Sequence, residues 1–321
     1  MNWHEFGVLI RELRKALQTR VGRSITQAEL ERMCSFTEKG RRGIIGRLER
    51  GEMHCMDEDV LVALADVFRL TRLERREFFL AANGVSTERI YHYPDAPEPE
   101  QEVQQIIRNV RRIPLPMMIT DVFLDVVAMN RALAKLYELD EENMEKVRSG
   151  TLMPNVLYFL FHPDFGFREM FRREEDWRNL LVADIQFFRR STLQYRAHPY
   201  WKYLMFRFMD SPREDPGMRE LFTRFWTLAE VQRSVDGNTT RFYDVRHQQF
   251  GRLRYMAIVS EEVTSRGNLH VITHIPVDDA TRRVFEAQMR RERGSEWVFI
   301  APWPLENKLP PPREGWRPRR A

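Results

Sequence analysis

Apolar residues recur at helical spacing through the first eighty residues of the chain. The spacing predicts a first helix over residues 5–20, with Arg11, Arg14 and Lys15 on its polar side. Two shorter helices are predicted on either side of the loop 34–40. A fourth helix is predicted after Asp57, and a fifth over Leu73–Ala82, where Asn83-Gly84 is typical of a helix end. This part of the chain is therefore predicted to be all-α.

The second half of the chain combines helical and alternating patterns. The run Met117–Met129 predicts two short strands around an acidic turn, and a helix follows from Asn130 to Leu139. Further helices are predicted over Asn155–Phe161, Glu174–Tyr195, Tyr200–Met209 and Met218–Arg233. Runs rich in Val, Ile, Tyr and Thr predict antiparallel strands over Thr240–His247, Leu253–Val263 and Leu269–Val277. We predict an α+β domain, PAS-like in its strand, turn, strand and helix opening.

Proline-rich stretches divide the chain. The acidic segment Tyr93–Gln101 contains three prolines and reads as a stiff linker. The predicted domains are therefore a helical domain at 1–90, a linker at 91–103, a PAS-like domain at 104–291, and a Pro/Arg-rich tail at 292–321. Three alternatives stay open for the tail: it is disordered, it lies extended over the second domain with Trp297, Phe299 and Trp303 as anchors, or it makes a non-specific DNA contact.

The composition is that of an ordinary cytoplasmic protein. Hydrophobic residues make up 43% and charged residues 31%, with neither a long uncharged apolar run nor a signal-peptide layout. We therefore predict no membrane association, and reduced thiols at Cys34 and Cys55. The net charge of +4 is too small to indicate a nucleic-acid partner by itself. Positive charge is nevertheless concentrated in residues 11–50, which contain eleven Lys or Arg against five Glu. Such a local surplus suits a phosphate backbone.

The segment Ser24–Gly51 has the organisation of a helix-turn-helix. Thr26 is placed as an N-cap, and Glu29 follows three residues later as in a capping box. In the second helix Ile44, Ile45 and Leu48 recur at helical spacing, and arginines occupy the remaining arc. A helix with a basic start that follows a turn is the arrangement that enters the major groove of DNA.

Two phrases in this segment, TQAEL at residues 26–30 and RLERG at residues 47–51, resemble the helix-turn-helix of the Xre/Cro repressor family. The turn is about four residues longer than the usual family pattern. The resemblance implies contacts with double-stranded DNA, and a glutamate in the second phrase that pairs within the fold. By position, the predicted base contacts are Gln27, Arg42 and Arg47, the predicted phosphate contacts are Arg11, Lys15, Arg41 and Arg50, and Thr26 and Ile44 complete the surface.

Residues 104–289 resemble the ligand-binding domain of MmyB-like transcription regulators. The resemblance depends on five phrases in order: Pro114-Leu115-Pro116, Val126–Asn130, Asn155–Phe161, Arg224–Arg233 and His247–Leu253. It implies a PAS-like fold and a cytosolic regulator with a small-molecule effector. An apolar, fatty-acyl-like molecule is the expected ligand, and no other cofactor is predicted.

Aromatic residues are concentrated in three predicted helices of the second domain, where they form either core or the wall of a ligand pocket. A buried ligand carboxylate would need a cation or several donors; the candidates are Arg190, Arg196, His198, Arg246, His247 and Tyr255. We favour His247 and Tyr255 because they lie on the predicted sheet. The predicted ligand-binding residues are Phe187, Trp201, Phe206, Tyr243, His247 and Tyr255.

Metal and catalytic sites are not predicted. His270 and His274 share a strand face but lie about 13 Å apart, too far to bind one ion. The common nucleophile, nucleotide-binding and metalloprotease motifs do not occur. The sequence therefore predicts a homodimeric, ligand-responsive transcription regulator rather than an enzyme. The alternatives are a sensor or protein-interaction module that does not bind DNA, and an enzyme that acts on lipid-like molecules.

Overall fold

The computed structural model of the chain describes residues 2–21, 25–36, 43–53, 56–83, 97–139, 141–148, 152–211, 214–231, 241–291 and 294–308. It consists of an N-terminal helical region, residues 3–82, and a C-terminal α+β domain with a six-stranded antiparallel sheet. This confirms the predicted fold class.

The helical region contains five helices: α1 (Trp3–Val21), α2 (Gln27–Met33), α3 (Ile44–Glu49), α4 (Glu58–Val67) and α5 (Arg72–Ala82). The predicted capping box is present, since Thr26 and Glu29 satisfy each other's backbone N–H groups at the start of α2. Helix α1 crosses α3 closely at Gly7, where a Cβ atom would lie 2.1 Å from the carbonyl oxygen of Leu48. Glycine at this position therefore lets the two helices touch.

The sheet of the α+β domain has the strand order β3-β4-β5-β1-β2-β6. Its strands are β1 (Met117–Asp121), β2 (Val126–Asn130), β3 (Arg241–His247), β4 (Gly251–Thr264), β5 (Gly267–Pro276) and β6 (Trp297–Phe299). The inner face, which carries Tyr243, Tyr255 and Ile272, packs into the largest hydrophobic core of the domain.

Helices cover the inner face and surround the sheet. They are α6 (Pro99–Val110), α7 (Arg131–Leu136), α8 (Glu141–Arg148), α9 (Val156–Phe161), α10 (Phe167–Met170), α11 (Glu174–Ser191), α12 (Pro199–Met209), α13 (Pro216–Val231) and α14 (Asp279–Arg290). Helix α11 contacts both α13 and β3. The long hydrophobic helices thus form one layer and the sheet the other.

Five helices and strands go beyond the sequence prediction: α6, α8, α10, α14 and β6. Helix α6 begins at Pro99, inside the segment that the sequence assigns to a linker, and it packs on the outer face of the sheet in a separate small core. The core contains Val103, Ile119, Val271 and Trp303. Helix α6 and Trp303 therefore cover the outer face of the sheet over β1, β2 and part of β5.

The start of the predicted tail lies extended along the domain. Strand β6 pairs with β2 at the edge of the sheet. Further on, the buried ammonium of Lys308 is bound between the carboxylates of Asp121 and Asp125. The hydroxyl of Tyr200 donates to Asp125, and the amide of Asn155 donates to the same carboxylate over 2.7 Å. Residues up to 308 are thereby fastened to the α+β domain, and residues 309–321 lie outside the described part.

Within the described residues, no helix is long and apolar enough to cross a membrane.

Candidate functional site

A buried glutamate fixes the first three helices of the helical region relative to one another. Glu49 is 2% exposed and accepts hydrogen bonds from Arg14 Nε (2.6 Å) and Gln27 Nε2 (2.8 Å). Arg11 donates to the backbone carbonyl of Glu49 over 2.8 Å. Burial alone would raise the pKa of Glu49, but the hydrogen bonds from Arg14 and Gln27 and the charges of Arg14 and Arg11 lower it below its usual value. The carboxylate therefore stays ionised and ties α1, α2 and α3 together.

Most of the predicted DNA contacts lie on the surface around this glutamate. Thr26 and Gln27 are exposed at the start of α2, and Arg47 is exposed on α3. Arg11 and Lys15 on α1 each have 40% of the side chain exposed. Arg50 is exposed and binds Glu52 through Nε over 2.6 Å. The structure thus brings polar and basic residues of three helices together.

Three of the predicted DNA contacts are not found on this surface. Ile44 is 5% exposed and packs in the core of the helical region, so we correct its assignment from a DNA contact to a core residue. Its apolar spacing with Ile45 and Leu48 reflects that burial. Arg41 and Arg42 lie outside the described residues.

Five buried aromatic and imidazole side chains lie at the inner face of the sheet. We call them the buried layer; they are Tyr137, Tyr243, Tyr255, His270 and His274. The rings of Tyr243 and Tyr255 stack with centroids 4.6 Å apart. His274 Nδ1 lies 3.3 Å from the carbonyl oxygen of Pro116, which can only accept, so Nδ1 carries the proton. Nε2 of His274 then accepts from the hydroxyl of Tyr137 over 2.6 Å.

Burial keeps this layer uncharged. It lowers the pKa of His274 to about 3 and that of His270 to about 4. It also raises the pKa of Tyr137 and of Tyr255 well above the usual value for a phenol. The imidazoles and phenols therefore remain neutral at physiological pH and offer hydrogen bonds rather than charge.

One buried ion pair lies beside this neutral layer. Arg241 on β3 binds Asp184 on α11, and the guanidinium carbon lies 5.0 Å from the ring centre of Phe187. Both charged residues are buried, and burial raises the pKa of Asp184 although Arg241 opposes the shift. Within the described part of the chain, Arg241 Nη1 and Asp184 Oδ2 have no hydrogen-bond partner. A buried polar atom without a partner costs about 1–3 kcal/mol, so this pair has unused capacity to bind a polar group.

The predicted ligand residues separate into two sets. Phe187, Tyr243 and Tyr255 lie in or against the layer around Arg241. His247 instead lies where β3 ends, stacks on Phe250 and accepts hydrogen bonds from the backbone of the following turn, so we correct its role to that of a turn residue. Trp201 packs against Arg196 on another face of the domain.

The remaining candidates are also displaced from the layer. Phe206 is half-buried on α12, and Arg246 is exposed on the outer face of β3. His198 caps the start of α12, and Arg196 binds Glu74 of the helical region. Arg190 lies with its guanidinium carbon 5.1 Å from the ring of Phe187, close to the layer. The cation that the sequence analysis missed is Arg241, whose signal is a charged residue at an inward position of an alternating strand.

The sequence profile of the MmyB-like transcription regulator ligand binding domain matches residues 99–287 of the chain. The chain belongs to this family. The comparison with curated proteins returned no match.

The MmyB-like domain contains every residue of the buried layer and of the Arg241–Asp184 pair. This family comprises ligand-binding domains of transcription regulators. Its presence indicates that the chain is a ligand-responsive transcription regulator. The helical region of residues 3–82 precedes the matched segment.

A second buried ionic cluster joins the MmyB-like domain to the helical region. Glu74 of α5 is fully buried; Arg189 Nη2 and Arg196 Nη2 each bind it at 3.1 Å. Arg189 also binds Glu230 at 2.8 Å, and Leu193 packs in the core of the helical region. Burial alone would raise the pKa of Glu74, but Arg189 and Arg196 hold it below its usual value. We call this cluster the junction; its members are Glu74, Arg189, Arg196 and Glu230.

Helix α11 connects the junction to the buried layer. Asp184, which binds Arg241, and Arg189, which binds Glu74, are five residues apart on the same helix. At 1.5 Å of rise per residue their Cα atoms are separated by about 7.5 Å along the helix axis. A displacement of α11 at Asp184 would therefore also move Arg189 and the junction.

Two clefts of the described part lie away from the predicted ligand residues. One is a surface cleft of about 570 Å³ between α12 and α13, lined by Met209, Arg219, Glu220, Thr223, Arg224 and Thr227. The other is a recess of about 20 Å³ beside Phe123 and Trp303. The buried layer itself is closely packed, as the stacked tyrosines show. Neither cleft is the open aromatic cavity that the sequence predicts, and the rings of Tyr243 and Tyr255 pack against each other instead.

Metal and thiol chemistry receive little support from the described residues. Within them, no group of three His, Cys, Asp or Glu side chains is placed to hold a metal ion. Burial raises the pKa of Cys34 to about 12, so this thiol is unreactive. Cys55 lies outside the described part.

Proposed function

We propose that the protein is a homodimeric DNA-binding transcription regulator whose affinity for its operator changes when the MmyB-like domain binds a small molecule with an apolar body and an anionic head. The observation that carries the proposal is the continuous connection from Arg241 through Asp184 and α11 to the junction with Glu74. Two distinct sites linked by one rigid element are what a ligand-dependent regulator requires.

The helical region supports the DNA-binding part of the proposal. Glu49 holds α2 and α3 together and leaves Arg47 and the start of α2 exposed, the arrangement of a helix-turn-helix whose second helix enters the major groove. In a homodimer the two recognition helices would lie one turn of DNA apart, or a multiple of it.

Arg47→Ala tests the placement of the recognition helix. We expect specific binding to weaken by about 1–3 kcal/mol, with a relaxed sequence preference, because an exposed arginine at this position contacts a base. The measurement is a fluorescence anisotropy titration against an operator selected from random duplexes, repeated at several salt concentrations. Arg76→Ala, an exposed arginine on α5, is the matched control. Equal affinity for both variants would place the DNA contact elsewhere.

The buried layer supports a ligand with an apolar body and an anionic head. Because the layer is closely packed in this conformation, its aromatic rings would have to separate to surround the body, and Arg241 Nη1, which lacks a partner among the described residues, would bind the head. A carboxylate on Arg241 competes with Asp184 for the guanidinium. Asp184 would then move with α11, and the ligand would favour a different arrangement of the junction.

Substitutions at the ion pair test this assignment. The probe is a medium-chain fatty carboxylate, with its methyl ester as the uncharged control, and affinity is measured by calorimetry on the full chain. We expect the double variant Asp184→Asn/Arg241→Gln, which removes both charges together, to lose at least about tenfold in affinity for the carboxylate and to treat acid and ester alike. Undiminished preference for the carboxylate in this variant would exclude Arg241 as the ligand's cation.

We also propose that the layer is a binding site and not a catalytic one. Tyr137 and His274 are within hydrogen-bond distance, which is the arrangement that a catalytic pair needs. Their pKa values point the other way: burial lowers that of His274 to about 3, and raises that of Tyr137 well above the usual phenol value. A general base works best with a pKa near the working pH, so this pair is poorly suited to proton transfer.

A further inference from the structure

In the part of the chain that the structure describes, one half of the sheet's outer face is covered and the other half is open. Helix α6 and Trp303 cover β1, β2 and the adjoining part of β5. Across β3 and β4 the face carries apolar side chains that are exposed: Phe242 is 37% and Ile258 41% exposed. Met256 is paired with both Phe242 and Ile275, which places the three side chains side by side. We call Phe242, Met256, Ile258 and Ile275 the outer patch.

Strand β4 gives this patch a charge pattern along its length. Alternate residues share a face, so the outer face of the strand reads Arg252, Arg254, Met256, Ile258, Ser260 and Glu262. The two arginines are at one end, the apolar pair is in the middle, and the glutamate is at the other end. Arg252 remains 52% exposed although it binds Asp244 over 2.7 Å.

This pattern is complementary to its own reversed copy. If a second β4 lies antiparallel across the first, with a two-fold axis at Ala257, Met256 meets Ile258 and Arg252 meets Glu262 of the second copy. An isologous interface needs such self-complementarity, because each contact occurs twice. A parallel arrangement would instead bring the arginines of both copies together, and like charges disfavour it.

We infer that the outer patch is the homodimer interface of this protein, in which two sheets pack face to face with their β4 strands antiparallel. The inference rests on the proposed function only in that a regulator of this kind acts as a dimer, and it names the surface that function requires. Apolar side chains from two sheets interdigitate at a separation of about 10 Å, which exposed Phe and Ile side chains can fill. The arginine and glutamate at the ends would lie at the solvated rim and set the orientation.

Disruption of the apolar centre is the first part of the test. Sedimentation velocity on the full chain is expected to give a dimer for the wild type and a monomer for Phe242→Glu/Ile258→Glu, since four carboxylates would be buried without partners. Val62→Glu, which alters an exposed residue on α4 of the helical region, is the control and should remain dimeric. A monomeric wild type, or a double variant that stays dimeric and folded by circular dichroism, overturns the inference.

The second part of the test exchanges charges and does not depend on the apolar variants folding. Arg252→Glu alone and Glu262→Arg alone should each weaken the dimer about tenfold, because both symmetry-related rim contacts become repulsive. An equimolar mixture of the two variants should form a heterodimer as strong as the wild type, since each contact then joins opposite charges. A mixture no stronger than the separate variants excludes the antiparallel arrangement. Operator binding by Arg47→Ala is measured separately, so failure of the interface and failure of the DNA assignment can be told apart.

Discussion

The variant Glu74→Gln is expected to lose about 3–5 kcal/mol of unfolding free energy, because it leaves two buried guanidinium groups without their shared carboxylate. Glu74 is fully buried, and Arg189 and Arg196 are buried with it. Gln keeps the shape and one acceptor but not the charge. Glu230, which binds Arg189, would then be the remaining carboxylate of the junction.

Urea denaturation of the full chain at neutral pH measures this loss. Glu77→Gln on the same helix is the matched control, and a surface-type substitution of this kind should change stability by no more than about 0.5 kcal/mol. A double-mutant cycle with Arg189→Met then isolates the pairwise energy, because neighbouring buried charges are not additive. If Glu74→Gln matched Glu77→Gln, the junction would not be an energetic connection between the domains.

The junction also has a functional consequence under the proposed mechanism. Since α11 carries both Asp184 and Arg189, loss of Glu74 should uncouple the two sites. The ligand would still bind the MmyB-like domain, but operator affinity would no longer depend on it. Coupling free energies in such systems are typically 1–3 kcal/mol, which is the size of the ligand effect expected to disappear.

Much of the helical region could be predicted from local signals. Helices α1 and α5 begin and end within two residues of the predicted limits, and α4 begins directly after Asp57 as predicted, because apolar spacing and polar caps are local properties. The same spacing could not say which residues of the helices lie on the exposed surface. Ile44 belongs to the apolar stripe and is buried in the core, and a helical pattern alone does not separate a binding residue from a core residue.

The sheet was also predictable, since β3, β4 and β5 have the long alternating pattern of half-buried strands. Helix α6 was missed because its first turn is made of Pro99 and acidic residues, which resemble a linker, while only a few apolar residues mark its buried side. Strand β6 has three residues, too few for an alternating pattern to stand out. Its position depends on pairing with β2, and a local sequence pattern does not predict pairing between residues that are far apart in the chain.

The candidate site shows the same limit more sharply. Tyr243 and Tyr255 are predicted ligand residues that lie on the predicted sheet, where the strand pattern is visible in the sequence. Arg241 was not, since nothing near it in sequence explains a buried charge; its partner Asp184 is 57 residues away on another element. The sequence favours His247 as a ligand residue because of its place on the predicted sheet. In the structure it lies at the end of β3, where its ring accepts hydrogen bonds from the backbone of the turn.

The cluster around Lys308 gives the second large prediction. Lys308→Met is expected to lose about 3–5 kcal/mol at pH 7.5, because the carboxyl groups of Asp121 and Asp125 would stay buried without their cation. The aromatic rings of Phe123 and Tyr200, whose centres lie 5.9 and 5.0 Å from the ammonium, would also lose a cation–π contact. Lys146→Met, which removes one member of an exposed helical ion pair with Glu142, is the control and should change stability by about 0.5 kcal/mol or less.

The loss should depend on pH in a defined direction. Burial raises the pKa of Asp121 to about 6 in the folded protein, although Lys308 opposes the rise, against about 3.9 in an unfolded chain. A raised carboxyl pKa contributes stability that is fully present below the unfolded value and is lost as pH rises through the folded value. Without the ammonium of Lys308 the folded pKa rises further, and this loss becomes larger.

The difference in unfolding free energy between wild type and Lys308→Met should therefore be largest at pH 7.5 and shrink as the pH falls to 5, where a proton replaces the missing cation. Urea denaturation of both proteins across this range measures the difference, and other titrating groups largely cancel in it. A deficit that stays constant, or grows toward pH 5, would mean that the lysine contributes packing and not charge. Since Lys308 is the last residue that the structure describes, that outcome would also mean that Trp303 and strand pairing hold the extended segment from β6 onward in place.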